Sequence, residues 1–144
     1  MIKNQAWPEV LLLPIMEHMP TKKLNLSVPF PPSVNTYWGF RGANRFLTKK
    51  AVGFKQIVRH EYLLTKHPGF DSQRLKVYVE LNAPDRRVRD LDNYAKSLID
   101  ALCQAGIFVD DEQIDHLTLV RGELIKGGQC LVRIEPLDCQ QGIT

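Results

Sequence analysis

The feature that most constrains the fold is a run of strict alternation in the middle of the chain. Between residues 75 and 81 every second residue is apolar, and Lys76, Tyr78 and Glu80 stand between them. This two-residue period is typical of a strand with one buried face. The spacing then changes to that of a helix, which is predicted to begin around residues 90–92 and to end before Gly106. Its buried stripe consists of Leu91, Ala95, Leu98, Leu102 and Ala105.

Further elements are predicted on both sides of this strand and helix. They are a strand at 24–28, a helix from a Thr48 cap to about Thr65, and strands at 117–121 and 129–134. Residues 29–44 are predicted to form a polar loop, and the last two strands to form a pair across Lys126, Gly127 and Gly128. The order favours a mixed α/β (α+β) fold, with about four strands in one mixed sheet and two main helices packed on it.

The length of 144 residues predicts a single compact domain. We divide the chain into an N-terminal extension (1–23), a folded domain (24–136) and a C-terminal tail (137–144). The short apolar stretch Val10–Met16 is interpreted as a docking segment and not as a signal peptide. No apolar run reaches the length of about 20 residues that spans a membrane, so no membrane partner is expected. Cys103, Cys130 and Cys139 form no Cys-x-x-Cys motif, which favours a reducing, cytoplasmic location.

The segment from Asp85 to Lys96 carries the clearest chemical signal. Asp90 lies on the loop side and Asp92 in the first helical turn, so their carboxylates can converge. Asp92 and Lys96 are four residues apart and share a helix face. After the helix the chain reverses, which can bring Asp110 or Asp111 towards Asp90.

Three carboxylates within about 4 Å would repel one another by about 4 kcal/mol per pair at an effective dielectric constant of 20. A Mg²⁺ ion resolves that repulsion, because it prefers a few carboxylates together with waters and a substrate phosphate. Arg86, Arg87 and Arg89 stand beside the motif and can meet the phosphate charge. Lys126, beside two glycines, suits a further phosphate contact. The pattern is typical of metal-dependent phosphodiester hydrolysis.

Structural explanations of the same residues stay open at this point. Asp90 can be a plain N-cap worth about 1 kcal/mol, and Asp92 and Lys96 can form an ordinary surface pair. With such structural roles, the protein would be a non-catalytic DNA-binding module with a structural acidic cluster. Another Asp-x-Asp metal-dependent phosphohydrolase with an aspartyl nucleophile would place its motif directly after a buried strand, whereas Arg86–Arg89 precede this one.

The set of motifs resembles the RusA family of Holliday junction resolvases. The matching segments are Asp85–Lys96, Asp100–Leu102, Ala105–Gly106 and Val109–Asp111, with Pro31–Asn35 and Lys126–Gly128 also fitting. The resemblance extends from about Leu24 to about Pro136. It implies a homodimeric, magnesium-dependent endodeoxyribonuclease, common in phages and prophages, that resolves four-way DNA junctions in recombination and repair.

The resemblance also implies roles for individual residues. The three acidic ligands of the family fall on Asp90, Asp92 and Asp111, and its essential lysine falls on Lys96. Its basic stretch falls on Arg86, Arg87 and Arg89, with Val88 where a further basic residue can occur. Other roles stay open: Asp100 can orient Lys96, cap the helix face or act as a direct ligand. Tyr37, Trp38 and Phe40 can stack on unpaired bases or pack in the dimer or the core.

A dimer is also expected from the symmetry of the substrate. A four-way junction has two equivalent strands related by a two-fold axis, and two matched cuts need two active sites. The candidate interfaces are the strand edges and the apolar stripes around Leu24–Val28 and Leu117–Val120.

Overall fold

The computed structural model describes residues 23–137. The predicted extension and tail, including Val10–Met16 and Cys139, lie outside these residues apart from Lys23 and Leu137. Eight helices and strands follow one another along the chain. They are β1 (Leu24–Val28), β2 (Trp38–Arg41), β3 (Asn44–Leu47), α1 (Lys49–Thr65), β4 (Leu75–Asn82), α2 (Asp92–Gln104), β5 (Ile114–Arg121) and β6 (Gln129–Pro136).

Four strands form one mixed sheet in the order β1-β6-β4-β5. Strand β4 is parallel to β5 and antiparallel to β6, and β6 is antiparallel to β1. The alternating residues of β4 are buried, as predicted: Leu75, Val77, Val79 and Leu81. The predicted mixed sheet of four strands with two main helices is therefore confirmed.

The predicted pairing of the last two strands is wrong. Strand β4 lies between β5 and β6, and β6 completes the sheet by pairing with both β4 and β1. The connection from β5 to β6 crosses the end of β4, where Ile125 N–H donates to the Ala83 carbonyl at 3.0 Å. Gly127 and Gly128 have positive φ angles of 84° and 78°. They therefore turn a crossing loop and not a tight hairpin.

The predicted polar loop at 29–44 is also wrong in its last part. Strands β2 and β3 form a separate antiparallel hairpin in which Trp38 pairs with Leu47 and Arg41 pairs with Asn44. The two residues between the strands are Gly42 and Ala43, and Gly42 has a φ of 66°. A positive φ at the first central position is what a tight two-residue hairpin turn requires.

Helix α1 begins as predicted at Thr48, whose hydroxyl accepts a hydrogen bond from the Ala51 N–H at 3.3 Å. Its predicted face is buried: Ala51, Phe54, Val58 and Tyr62. Both helices share one hydrophobic core with the inward-facing residues of the sheet. Among the described residues, no helix is long and apolar enough to cross a membrane.

The apolar stripe of β1 belongs to the same core. Leu24, Leu26 and Val28 are between 2% and 5% exposed within the single chain. The prediction that this stripe is available for a dimer interface is therefore corrected, because its side chains already pack against the helices. On β5, by contrast, Leu117 is 41% exposed at the other edge of the sheet.

Candidate active site

Asp90 and Asp92 lie where the β4–α2 loop enters helix α2. The helix begins at Asp92, and its N-cap is Leu91, which makes no side-chain capping hydrogen bond. Asp90 contributes to the start of the helix only through its backbone carbonyl, which accepts a hydrogen bond from Asn93 N–H at 3.1 Å. Both aspartates are exposed. Their carboxylates form no ion pair or hydrogen bond within residues 23–137, so neither the N-cap nor the Asp92–Lys96 pair is formed.

Asp110 and Asp111 lie on the connection that leads from α2 to β5. A short 3₁₀ turn spans Asp111–Gln113. The buried Gln113 side chain fixes this turn: its Oε1 accepts from the N–H groups of Val109 at 2.8 Å and Asp110 at 2.9 Å. Its Nε2 donates to the carbonyls of residues 71 and 73 at 2.6 and 2.8 Å. Sequence reasoning missed this residue, because a glutamine gives no signal of burial before its partners are known.

The environment of Asp111 is strongly acidic. A hydrogen bond with the Asp110 side chain raises the pKa of Asp111 above its usual value, and partial burial and the Asp110 charge add to this increase. Asp100 raises the pKa further, whereas Lys96 lowers it. The connection therefore lies against the face of α2 that carries Lys96 and Asp100. Like charges held this close favour a proton or a cation between them.

Cys103 lies within this acidic environment. Its thiol donates to the Val109 carbonyl with a sulfur–oxygen distance of 3.4 Å, which links α2 to the connection. Burial raises the pKa of the thiol, and the charges of Asp110, Asp111 and Asp100 raise it further. The thiol therefore stays protonated and acts as a link between α2 and the connection.

Asp100 was predicted to orient Lys96, but the structure engages it elsewhere. The Tyr37 hydroxyl donates to Asp100 Oδ2, and Lys55 Nζ lies 3.3 Å from the same oxygen. Burial, together with this hydrogen bond, raises the pKa of Tyr37. Tyr37 is buried, whereas Trp38 and Phe40 are exposed. The contacts among Tyr37, Asp100 and Lys55 therefore fasten the base of the hairpin to α1 and α2.

The three predicted ligands do not form a ready-made metal site. Within residues 23–137, no three His, Cys, Asp or Glu side chains are grouped so that they could hold a metal ion. Asp90 follows the carboxyl end of β4 and Asp111 precedes the amino end of the parallel strand β5, so the two enter from opposite ends of the sheet. Joint ligation by Asp90, Asp92 and Asp111 stays a prediction.

The structure distinguishes the three arginines of the motif. Arg86 is exposed and forms no ion pair in the described part of the chain. Arg89 lies 2.8 Å from Asp85, its side chain is only 9% exposed, and its guanidinium lies 5.5 Å from the centre of the Phe30 ring. Arg87 pairs with the same Asp85 at 3.1 Å. Hydrogen bonds from Arg89 and then Arg87 hold the pKa of Asp85 well below its usual range.

A groove of about 700 Å³ runs between the start of α1 and the β4–α2 loop. Its charged lining residues are all basic: Lys49, Lys50, Arg87 and Arg89. Gly127 also lines it, so the turn that carries the exposed Lys126 lies at its border. The charge along the groove is therefore positive, and the lining includes Arg89, the residue directly before Asp90.

Comparison with known proteins shows the family. The family model for endodeoxyribonuclease RusA matches residues 29–135. The chain belongs to the RusA family. Both aspartate pairs and the groove lie inside the matched RusA segment. The family resemblance and the prediction of a nuclease are therefore confirmed.

The alignments with individual relatives span most of this chain and most of each relative. The crossover junction endodeoxyribonuclease of Enterobacteria phage HK97 is 38% identical over 111 residues, which is 77% of this chain and 92% of the relative. The enzymes of that name from Escherichia coli strain K12 and Enterobacteria phage 82 are each 31% identical over 108 residues. In both cases the alignment covers 73% of this chain and 88% of the relative. Two of these three relatives come from phages, which fits the expected phage or prophage origin.

Proposed function

We propose that this RusA-family chain is an endodeoxyribonuclease that resolves four-way junction DNA by paired nicks. The observation that carries the proposal is the state of Asp90 and Asp92, two exposed carboxylates without a partner among residues 23–137. They follow Arg89, which lines a groove whose charged residues are all basic. Structural carboxylates would be expected to form caps or ion pairs. The names of the relatives supply the substrate, a crossover junction.

Magnesium is the cofactor that fits these donors best. Mg²⁺ is usually held by one or two carboxylates, several waters and the phosphates of the substrate, so a closed protein cage is not required. Asp90 and Asp92 would hold it together with waters and a substrate phosphate, and Asp111 stays the third proposed ligand; when bound, the ion would activate water and offset phosphate charge. The close pair of Asp110 and Asp111 supports the proposal, because a cation would relieve its repulsion.

The basic residues have separate tasks in this proposal. Lys96 lies on the α2 face that Asp111 approaches, where its ammonium group can stabilise charge that grows on the cleaved phosphate. Arg86, Lys49, Lys50 and Lys126 are exposed and can bind backbone phosphates along the groove. Arg87 and Arg89 line the groove but are already paired with Asp85, so they shape the loop as well as its potential.

A two-fold homodimer would place two such sites on one junction. Strand β5 is an edge strand with unpaired backbone groups, and Leu117 is exposed on it. This edge is the interface that we propose. The expected particle has twice the chain mass of 16.5 kDa, which is about 33 kDa.

A strand-nicking assay on a synthetic four-way junction tests the proposed function. We expect symmetric paired cuts in Mg²⁺, none in EDTA, and no cutting of the matched linear duplex. A protein that binds the junction but never cuts it would be the non-catalytic DNA-binding module. Hydrolysis of small phosphate esters without junction cutting would identify another Asp-x-Asp phosphohydrolase. The nine residues between β4 and Asp92 already argue against that class, because its aspartate directly follows a strand.

A further inference from the structure

We propose that the β2–β3 hairpin is a DNA-binding element that stacks its aromatic side chains on bases exposed at the branch point of the junction. The inference rests on the proposed function for its substrate. It assigns a task to a part of the chain that lies outside the aspartate motifs.

The hairpin presents an aromatic surface that the fold does not cover. It forms a two-stranded sheet of its own and pairs with no strand of the main sheet. Phe40 is 70% exposed, Phe46 is 41% exposed and Trp38 is 36% exposed. Such rings can stack on a nucleic-acid base whatever its sequence, because every base has a π-face.

Arginines lie over two of these three rings, Trp38 and Phe46, and hold them in place. Arg45, which pairs with Phe40 across the hairpin, lies 4.0 Å from the centre of the Trp38 ring. On the opposite face, Arg41 lies 5.6 Å from the centre of the Phe46 ring. Planar guanidinium groups and aromatic rings side by side form the kind of platform on which bases stack.

The packing of Phe46 on Gly39 fixes the position of the Phe46 ring on the hairpin face opposite Trp38 and Phe40. The Phe46 ring covers Gly39, its cross-strand partner, so closely that an added Cβ would lie 2.5 Å from a ring carbon. Any side chain at residue 39 would therefore push the ring aside. The hairpin is consequently a preformed platform and not a loop that must order on binding.

Charge selects DNA as the occupant. Residues 23–58 contain no Asp or Glu, but they contain six basic residues: Lys23, Arg41, Arg45, Lys49, Lys50 and Lys55. A second copy of the hairpin related by a two-fold axis would bring the same positive charges together. A polyanion with exposed bases matches both the charge and the aromatic rings.

The base of the hairpin connects it to the candidate active site. Tyr37, directly before β2, donates to Asp100 on α2, one helical turn beyond Lys96. The carbonyl of Tyr37 also accepts from Thr48 N–H at 3.1 Å at the start of α1. A base held on the hairpin would therefore set the position of its phosphate relative to Lys96.

The test uses a four-way junction with 2-aminopurine at the branch point, in EDTA so that binding occurs without cutting. We expect the wild-type protein to change the probe fluorescence. Phe40→Ala should abolish most of that change and weaken junction binding by roughly tenfold, the loss of one base–aromatic stack. Arg45→Ala, a second variant on the same face, should act in the same direction. Duplex binding should fall much less with Phe40→Ala.

Matched controls lie on α1, away from the hairpin. Leu64, which is 63% exposed, provides the apolar control Leu64→Ala, and the exposed Arg59 provides the basic control Arg59→Ala. Both should keep the fluorescence change and the affinity for the junction. Circular dichroism checks that Phe40→Ala and Arg45→Ala are folded, as expected for exposed positions.

The outcomes separate this inference from the proposed function. If wild type cuts junctions but Phe40→Ala and Arg45→Ala keep the fluorescence change and the affinity, the inference is wrong and the proposed function stands. If wild type binds with a hairpin-dependent signal but never cuts in Mg²⁺, the hairpin assignment stands and the proposed function fails. If either variant converts a dimer into a monomer, the hairpin is an interface between copies and the inference is overturned.

Discussion

At the scale of the residue, Asp90 and Asp92 are carboxylates for which the described chain supplies no partner. Replacing either by Asn keeps the shape of the side chain and removes its charge, so the folded state loses no ion pair. We expect the free energy of unfolding to change by less than about 0.5 kcal/mol. Cleavage of the junction should fall by orders of magnitude, while binding persists or tightens because repulsion with phosphate decreases.

Asp115 provides the matched control for these two variants. It is an exposed aspartate with a structural partner, since Arg74 Nε donates to it at 3.0 Å and holds its pKa below the usual value. Asp115→Asn should therefore keep cleavage near the wild-type rate. Near wild-type cutting by Asp90→Asn or Asp92→Asn in saturating Mg²⁺ would exclude that residue as a ligand.

The arginines beside the motif should divide into two classes. Arg86 is exposed and unpaired in the described residues, so Arg86→Ala should flatten the log–log salt dependence of DNA binding by about 0.9, the loss of one phosphate contact. Arg89→Ala should instead lower the melting temperature, because Arg89 packs over Phe30 and binds Asp85. Salt titrations and thermal melts of both variants measure the two effects.

The pH dependence checks the role of Arg89. Arg89 and Arg87 lower the pKa of Asp85 in the folded state, so their contribution to stability is present above the unfolded-state pKa of about 4. It is lost as the pH falls and Asp85 takes up a proton. The difference in melting temperature between wild type and Arg89→Ala should therefore shrink below pH 4. An equal difference at acid and neutral pH would mean that packing on Phe30 accounts for the whole effect.

At the scale of the element, local patterns predicted the two helices and the four strands of the main sheet, but they predicted neither the β2–β3 hairpin nor all of the strand partners. The alternation in β4 and the Thr48 cap depend on neighbouring residues, and both were predicted. The insertion of β4 between β5 and β6 depends on contacts between distant segments, which a local period does not encode. The burial of Arg89 is of the same kind, because Phe30 lies 59 residues earlier in the chain.

The prediction at this scale concerns Gln113, whose side chain fixes the turn that carries Asp111. Gln113 makes four hydrogen bonds to backbone groups, and replacing it by Ala would leave buried donors and acceptors unpaired. We expect Gln113→Ala to destabilise the fold by about 1–3 kcal/mol or more. Cleavage at a temperature where the variant is folded should also fall, because Asp111 loses its fixed position. The neighbouring exposed Glu112 gives the control Glu112→Gln, which should keep cleavage; equal loss in both variants would contradict a specific role for Gln113.

At the scale of the whole molecule, residues 23–137 hold a single copy of the Asp90–Asp92 motif, whereas the junction has two equivalent strands. A protein with one site can nick one strand in an encounter and leaves the junction joined. Two sites related by the two-fold axis of the substrate can make both cuts before release. In our proposal a dimer provides these two sites, and its edge strand β5 supplies a surface of unpaired backbone groups.

Mixing experiments test this symmetry directly. A small amount of wild type, exchanged with an excess of Asp92→Asn, places most active chains in mixed dimers with one working site. Those dimers should accumulate nicked but unresolved junctions, seen as cut strands on a denaturing gel and intact junctions on a native gel. Exchange with the same excess of Asp115→Asn should keep resolution, since both sites work. A protein of 16.5 kDa by light scattering at micromolar concentration that still makes paired cuts would contradict the dimer.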